Sequence, residues 1–188
     1  MPDLILQSSP GELFICRNAG NMVPSYGSGA TGGVTATIEY AVMVLEIPNI
    51  IVCGHSDCGA MRALLNPEKL TEMPAVRDWL QHGEVARRVV ASEYPHLAGE
   101  DRLAMLTEEN VIAQLDNLRT HPSVAARLAG GKIKLHGWVY EIGTGGIRAF
   151  DAAEGGFVPL APGRIPSATP EPRPRRMPAL AIPEGEGR

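Results

Sequence analysis

Asn49-Ile50-Ile51-Val52-Cys53-Gly54-His55-Ser56-Asp57-Cys58-Gly59 is the stretch that decides how this chain is read. An apolar, β-branched run, begun by Ile47-Pro48, ends in a glycine. It then places an imidazole and a thiol three positions apart, where a helix over Cys58 to Leu65 begins with Ala60, Leu64 and Leu65 facing inward. A strand–turn–helix junction is the expected local fold. His and Cys are preferred zinc ligands, and an H-x-x-C turn can aim both at one ion. A helix N-terminus also favours a thiolate through its unpaired N–H groups. On spacing alone the competing reading stays open: a buried cysteine also serves as a small hydrophobe.

On the N-terminal side, Glu12-Leu13-Phe14-Ile15-Cys16-Arg17 is bounded by Pro10-Gly11 and by Asn18-Ala19-Gly20-Asn21, and reads as a buried strand. Tyr26-Gly27-Ser28-Gly29-Ala30-Thr31-Gly32-Gly33 is a glycine-rich loop without the Lys-Ser/Thr ending of a phosphate-cradling loop. Val34, Ile38, Ala41, Val42 and Leu45 then fall on one helical face, closed by Pro48. On the C-terminal side, Thr71 to Leu97 is helical and amphipathic, with Val76, Trp79 and Leu80 in the core. A helix over about Glu109 to Leu118 uses Val111, Ile112, Leu115 and Leu118. Ile133, Leu135 and Gly137 alternate with Lys132, Lys134 and His136 as in a strand. Gly143-Thr144-Gly145-Gly146 is a hairpin turn, from which Ile147 to Phe150 returns. The pattern predicts an α/β fold, a mostly parallel sheet flanked by helices with an antiparallel C-terminal hairpin.

Residues 1–160 are read as one domain, and 161–188 as a disordered tail, because seven prolines among Arg, Glu and Ala leave little apolar surface to bury. A net charge of −4 gives no footprint for nucleic acid. No stretch is apolar for long enough to span a membrane, and no secretory signal follows Met1. The three cysteines, Cys16, Cys53 and Cys58, form no even disulfide framework, which points to a reducing, cytoplasmic setting.

Five ordered blocks together carry a specific resemblance. Gly11-Glu12-Leu13-Phe14-Ile15-Cys16-Arg17-Asn18-Ala19-Gly20-Asn21 is followed by Ile38-Glu39-Tyr40-Ala41-Val42 and by Ile51 to Met61. Glu109-Asn110-Val111 with Gln114-Leu115-Asp116-Asn117-Leu118, and then Leu135-His136-Gly137-Trp138-Val139-Tyr140, complete them. From Met1 to about Phe157 the chain resembles the β-class carbonic anhydrases. The resemblance implies zinc-dependent reversible hydration of carbon dioxide to bicarbonate and a proton. It carries His55 and Cys58 onto two of the family's three zinc ligands.

The family's remaining ligand lies in a Cys-x-Asp-Ser-Arg motif on an earlier, central strand, which precedes the segment corresponding to Met1–Gln7. The sequence starts after it, so the expectation is an N-terminally truncated member lacking that ligand, the Asp-Arg pair and the central strand, and therefore impaired. No catalytic residue is assigned. Cys16 and Cys53 are expected in the core, and His82 and His136 at the surface or in a satisfied polar contact. Asp57 is expected to cap the helix or meet an arginine, and Gly59 to permit close backbone approach beside the thiolate. The alternative function is a non-catalytic remnant or regulatory, subunit-binding protein. Expected partners are carbon dioxide and bicarbonate, and further copies of the chain, as a dimer or tetramer, if the full N-terminus is present.

Overall fold

The computed structural model describes residues 2–28 and 32–161, so the tail expected at 161–188 lies, but for Ala161, outside the described residues, as does the middle of the glycine-rich loop. In chain order the elements are α1 (Pro2–Leu6), α2 (Gly33–Met43), β1 (Asn49–His55), α3 (Gly59–Leu65), α4 (Pro74–Leu80) and α5 (Glu84–Glu93). They continue with α6 (Gly99–Thr120), α7 (Pro122–Ala129), β2 (Lys134–Tyr140), β3 (Ile147–Asp151) and β4 (Gly156–Pro159).

The strands form one mixed sheet in the order β1-β2-β3-β4. β1 and β2 are parallel, with Ile51 opposite His136, Cys53 opposite Trp138 and His55 opposite Tyr140. β2–β3 and β3–β4 are antiparallel. The α/β architecture and the hairpin at Gly143–Gly146 agree with the expectation. Among the described strands, however, the sheet is mixed where a mostly parallel one was expected, with one parallel and two antiparallel pairings, because β4, which the sequence reading did not foresee, extends the hairpin.

α6 runs ten residues further towards the N-terminus than its apolar spacing suggested. Glu100 and Asp101 sit in its first turn and Arg119 in its last, each matching the sign of the helix dipole. Its buried face, from Leu103 and Leu106 to Leu115 and Leu118, serves both halves of the core. One half lies against the sheet, with Val52, Val111, Leu115, Leu135 and Val139. The other gathers Met22, Met61, Leu64, Leu80, Val90 and Leu106 between α3, α5 and α6. The helix can approach the parallel pair because that pair carries glycines there. A Cβ on Gly137 would stand 2.8 Å from Val111 Cγ1 and 2.9 Å from Leu115 Cδ1, and one on Gly54 would stand 3.1 Å from Val111 Cγ2.

Several expectations are corrected. Glu12–Arg17 is not a strand. Residues 13–17 make no backbone–backbone hydrogen bond among the described residues, and Phe14 is 50% exposed. A strand exists only through its neighbour, and no described strand lies beside this segment. Cys16 is accordingly exposed and not in the core. Cys53 is exposed too: β1 is an edge strand whose Val52 and Gly54 face the core, while Ile51, Cys53 and His55 face outward. Val76 and Leu45 are exposed, although Leu80 is buried and Trp79 half-buried. α2 ends at Met43, before its apolar pattern does.

A candidate metal-holding turn

The end of β1 and the start of α3 hold the candidate site. His55 is the last residue of β1 and is exposed. Its Nδ1 lies 2.8 Å from the Ser56 carbonyl oxygen. A carbonyl can only accept, so Nδ1 carries the proton, and in the neutral ring Nε2 keeps its lone pair for a metal. Ser56 ties the turn to the sheet. Its N–H donates to the Tyr140 carbonyl at 2.9 Å, and its hydroxyl accepts from the Ile142 N–H at 2.9 Å.

Cys58 is the N-cap residue of α3, 4% exposed, and its carbonyl accepts the Arg62 N–H at 3.0 Å. Between the two, Asp57 takes a φ of +55°. That left-handed backbone is uncommon for a residue with a side chain, though Asp tolerates it better than most. The Asp57 carboxylate accepts two hydrogen bonds from Arg62, at 3.0 and 2.6 Å. Arg62 also donates to both carboxylate oxygens of Glu100 at 2.9 Å. Asp57 therefore meets an arginine, one of its two expected roles, and the pair of carboxylates drives the Arg62 pKa still higher.

Among the described residues, no set of three His, Cys, Asp or Glu side chains converges so as to hold a metal ion. His55 and Cys58 thus stand on one turn without a third donor from Cys16, Cys53 or another histidine. His136 is buried, with Nε2 3.0 Å from Asn49 Oδ1, so its satisfied polar contact is as expected. His82 lies edge-on to Trp79, and burial pushes its pKa down. The role given to Gly59 is not seen, since a Cβ there would meet nothing within 4 Å.

Beneath the turn is a polar layer that the sequence reading did not assign. Asn110 Nδ2 donates to the Gly20 carbonyl at 3.0 Å. Gln114 Oε1 accepts the Val23 N–H at 2.8 Å, while its Nε2 donates to Asn110 and to the His82 carbonyl. Asn117 donates to the Val23 carbonyl at 2.8 Å, and Thr120 accepts the Tyr26 N–H at 2.8 Å. One stripe of α6 thereby fixes the chain from Gly20 to Tyr26, which enters the glycine-rich loop. The visible signal was amides at helical spacing, positions 110, 114 and 117, on an otherwise apolar face.

Comparison with known proteins identifies the family and the fold. A family model described as carbonic anhydrase matches residues 1–147. A carbonic anhydrase of Pseudomonas aeruginosa is 53% identical over 161 residues, covering 86% of this chain and 72% of that protein. One from Synechocystis is 49% identical, covering 90% of this chain and 62% of that protein. The chain therefore spans roughly two thirds of the length of these relatives. The structure of the β-carbonic anhydrase CcaA superposes with a TM-score of 0.83 at 48% identity, over 86% of this chain and 72% of that one. One of two tetrameric β-carbonic anhydrases from Sordaria macrospora gives 0.70 at 30% identity, over 79% of this chain and 73% of that one. The chain belongs to the β-class carbonic anhydrase family.

Proposed function

We propose that this chain carries the metal-holding turn of a zinc-dependent carbonate dehydratase, which interconverts carbon dioxide and bicarbonate with exchange of a proton. The observation that carries the reading is the His55 tautomer. Its Nδ1–H is committed to the Ser56 carbonyl, which leaves Nε2 as a donor three residues from the Cys58 thiol. Imidazole nitrogen and thiolate sulfur both suit zinc, so the two residues fit the metal in chemistry. Zinc, when bound, acts as a Lewis acid that lowers the pKa of the water it holds towards ~7. Two protein donors fall short of the three usual at catalytic zinc, and the third is proposed to come from a segment or subunit outside the described residues. Asp57 is held by Arg62, so it is given no part in proton transfer, and the proton passes to buffer.

Assembly of copies is part of the proposal. The tetrameric relatives support it, as do the exposed apolar side chains of Phe14, Tyr40, Met43 and Val44. Among the described residues no helix is long and apolar enough to cross a membrane. The three unpaired cysteines support a reducing compartment, and the cytoplasm is proposed.

The test measures zinc content and carbon dioxide hydration on the 188-residue chain and on a His55→Ala, Cys58→Ser double variant. The variant should lose whatever zinc the chain holds. Hydration by the unmodified chain should be poor until a third donor is supplied. Zinc content unchanged in the double variant would refute the donor assignment. A chain that takes up no zinc under any condition favours a non-catalytic, subunit-binding role.

A further inference from the structure

We infer that Arg62 is the positioning residue of the metal-holding turn, clamping Asp57, and with it the geometry of His55 and Cys58, to the first turn of α6 through Glu100. The inference rests on the reading of His55 and Cys58 as metal donors.

Arg62 grips the turn twice. Its backbone N–H bonds the Cys58 carbonyl at 3.0 Å, and its guanidinium gives two hydrogen bonds to Asp57 Oδ1. The same planar group spends its other edge on both oxygens of Glu100, which belongs to a different element. Only a guanidinium can hold two carboxylates in one plane in this way, and a lysine ammonium cannot reproduce the fork. The residue so held is the one whose backbone needs holding. Asp57 sits at a φ of +55° between the two donors, in a conformation that persists where its surroundings enforce it.

α6 is a fit anchor, because its middle already lies against Gly54, the residue before His55. The turn is thus fixed from below by Val111 and Thr107 and from outside by Glu100. All three partners are substantially exposed, so the network contributes little to global stability. Its consequence is local: removing it should let Asp57 relax, and the two donors should lose their common aim.

The experiment compares the full chain with Arg62→Met, Arg62→Lys and Glu100→Gln. Zinc affinity is read by competition with a chromogenic chelator. Arg62→Met should weaken it about 10–100-fold, the range expected for a residue that orients metal ligands. Glu100→Gln should give a smaller loss, and the melting temperature of each variant should fall by no more than about 4 °C. Arg62→Lys should not restore the affinity. A second reading needs no metal: the alkylation rate of Cys58, measured peptide by peptide by mass spectrometry. Arg62→Met should raise it several-fold while leaving Cys16 and Cys53 unchanged. If the unmodified chain binds no zinc, the donor reading fails and the Cys58 rate alone decides whether Arg62 holds the turn. Unchanged zinc affinity with an unchanged Cys58 rate would overturn the inference. So would full affinity in Arg62→Lys, since charge without the fork would then suffice.

Discussion

Gln114 and Val23 are 91 residues apart, yet the Gln114 amide oxygen accepts the Val23 N–H at 2.8 Å inside the core. This bond and its neighbours attach the chain that enters the glycine-rich loop to α6, the helix that packs against β1 just before the candidate turn.

The first prediction follows from that attachment. Gln114→Ala would leave the Val23 N–H without its acceptor and the His82 carbonyl without its donor. A buried polar group left unsatisfied costs about 1–3 kcal/mol. The variant should lose about 2–3 kcal/mol of stability, read as a melting temperature lower by about 4–10 °C. A loss smaller than that of a surface substitution, within about 0.5 kcal/mol, would show that water replaces the amide without cost.

Three glycines near the site should respond differently to one added methyl group. Gly137→Ala places a Cβ 2.8 Å from Val111 Cγ1, so α6 must shift, at a cost of about 1–3 kcal/mol. Gly54→Ala, with its nearest atom at 3.1 Å, should cost less. Gly59→Ala meets open space and should change stability by no more than about 0.5 kcal/mol. Urea unfolding of the three variants would check the order, and equal losses for Gly59 and Gly137 would contradict it.

Glu84 gives a pH dependence with a definite sign. Hydrogen bonds from Arg87, and then from Arg88, hold its pKa down at about 2, against the usual carboxylate range near 4.5. A carboxyl with a depressed folded-state pKa stabilises the fold above its unfolded pKa. That contribution is therefore present above about pH 4.5 and fades as the pH falls towards 2. Because the pair is partly exposed, it amounts to no more than about 1 kcal/mol. Stability curves of the chain and of Glu84→Gln should converge in acid and separate above pH 4.5. Parallel curves across that window would show that the ion pair contributes nothing.

The outer edge of β1 should drive self-association. The strand has no described neighbour on that side, and Ile51 and Cys53 are exposed. An unpaired apolar edge invites another strand. Sedimentation at micromolar concentration should show dimers or larger species, and Ile51→Lys should reduce them. A purely monomeric chain with a cooperative thermal transition and well-dispersed amide signals would refute this.

Much of the site was legible in the residues themselves. Asn49 to Cys58 announced a strand, a glycine and two metal-type donors, because β-branched runs and turn residues act over a few positions. The turn at Gly143–Gly146 and the apolar face of α6 were legible for the same reason, since their periodicity is local. The sequence could not say which neighbours would be present. Leu13 to Arg17 has the composition of a strand but forms none, because a ladder needs a partner that the described chain does not place beside it. Cys53 shares its strand with Val52 yet faces outward, because burial depends on which face of the sheet another element covers. Gly54 and Gly59 look alike in sequence, but only the first lies under α6. Arg62 meets Glu100 across 38 positions, a contact set by how α3 docks on α6 and by no local pattern. Local chemistry therefore determined the candidate donors and the elements that carry them, while packing decided which strand forms, which face is open and what Arg62 meets.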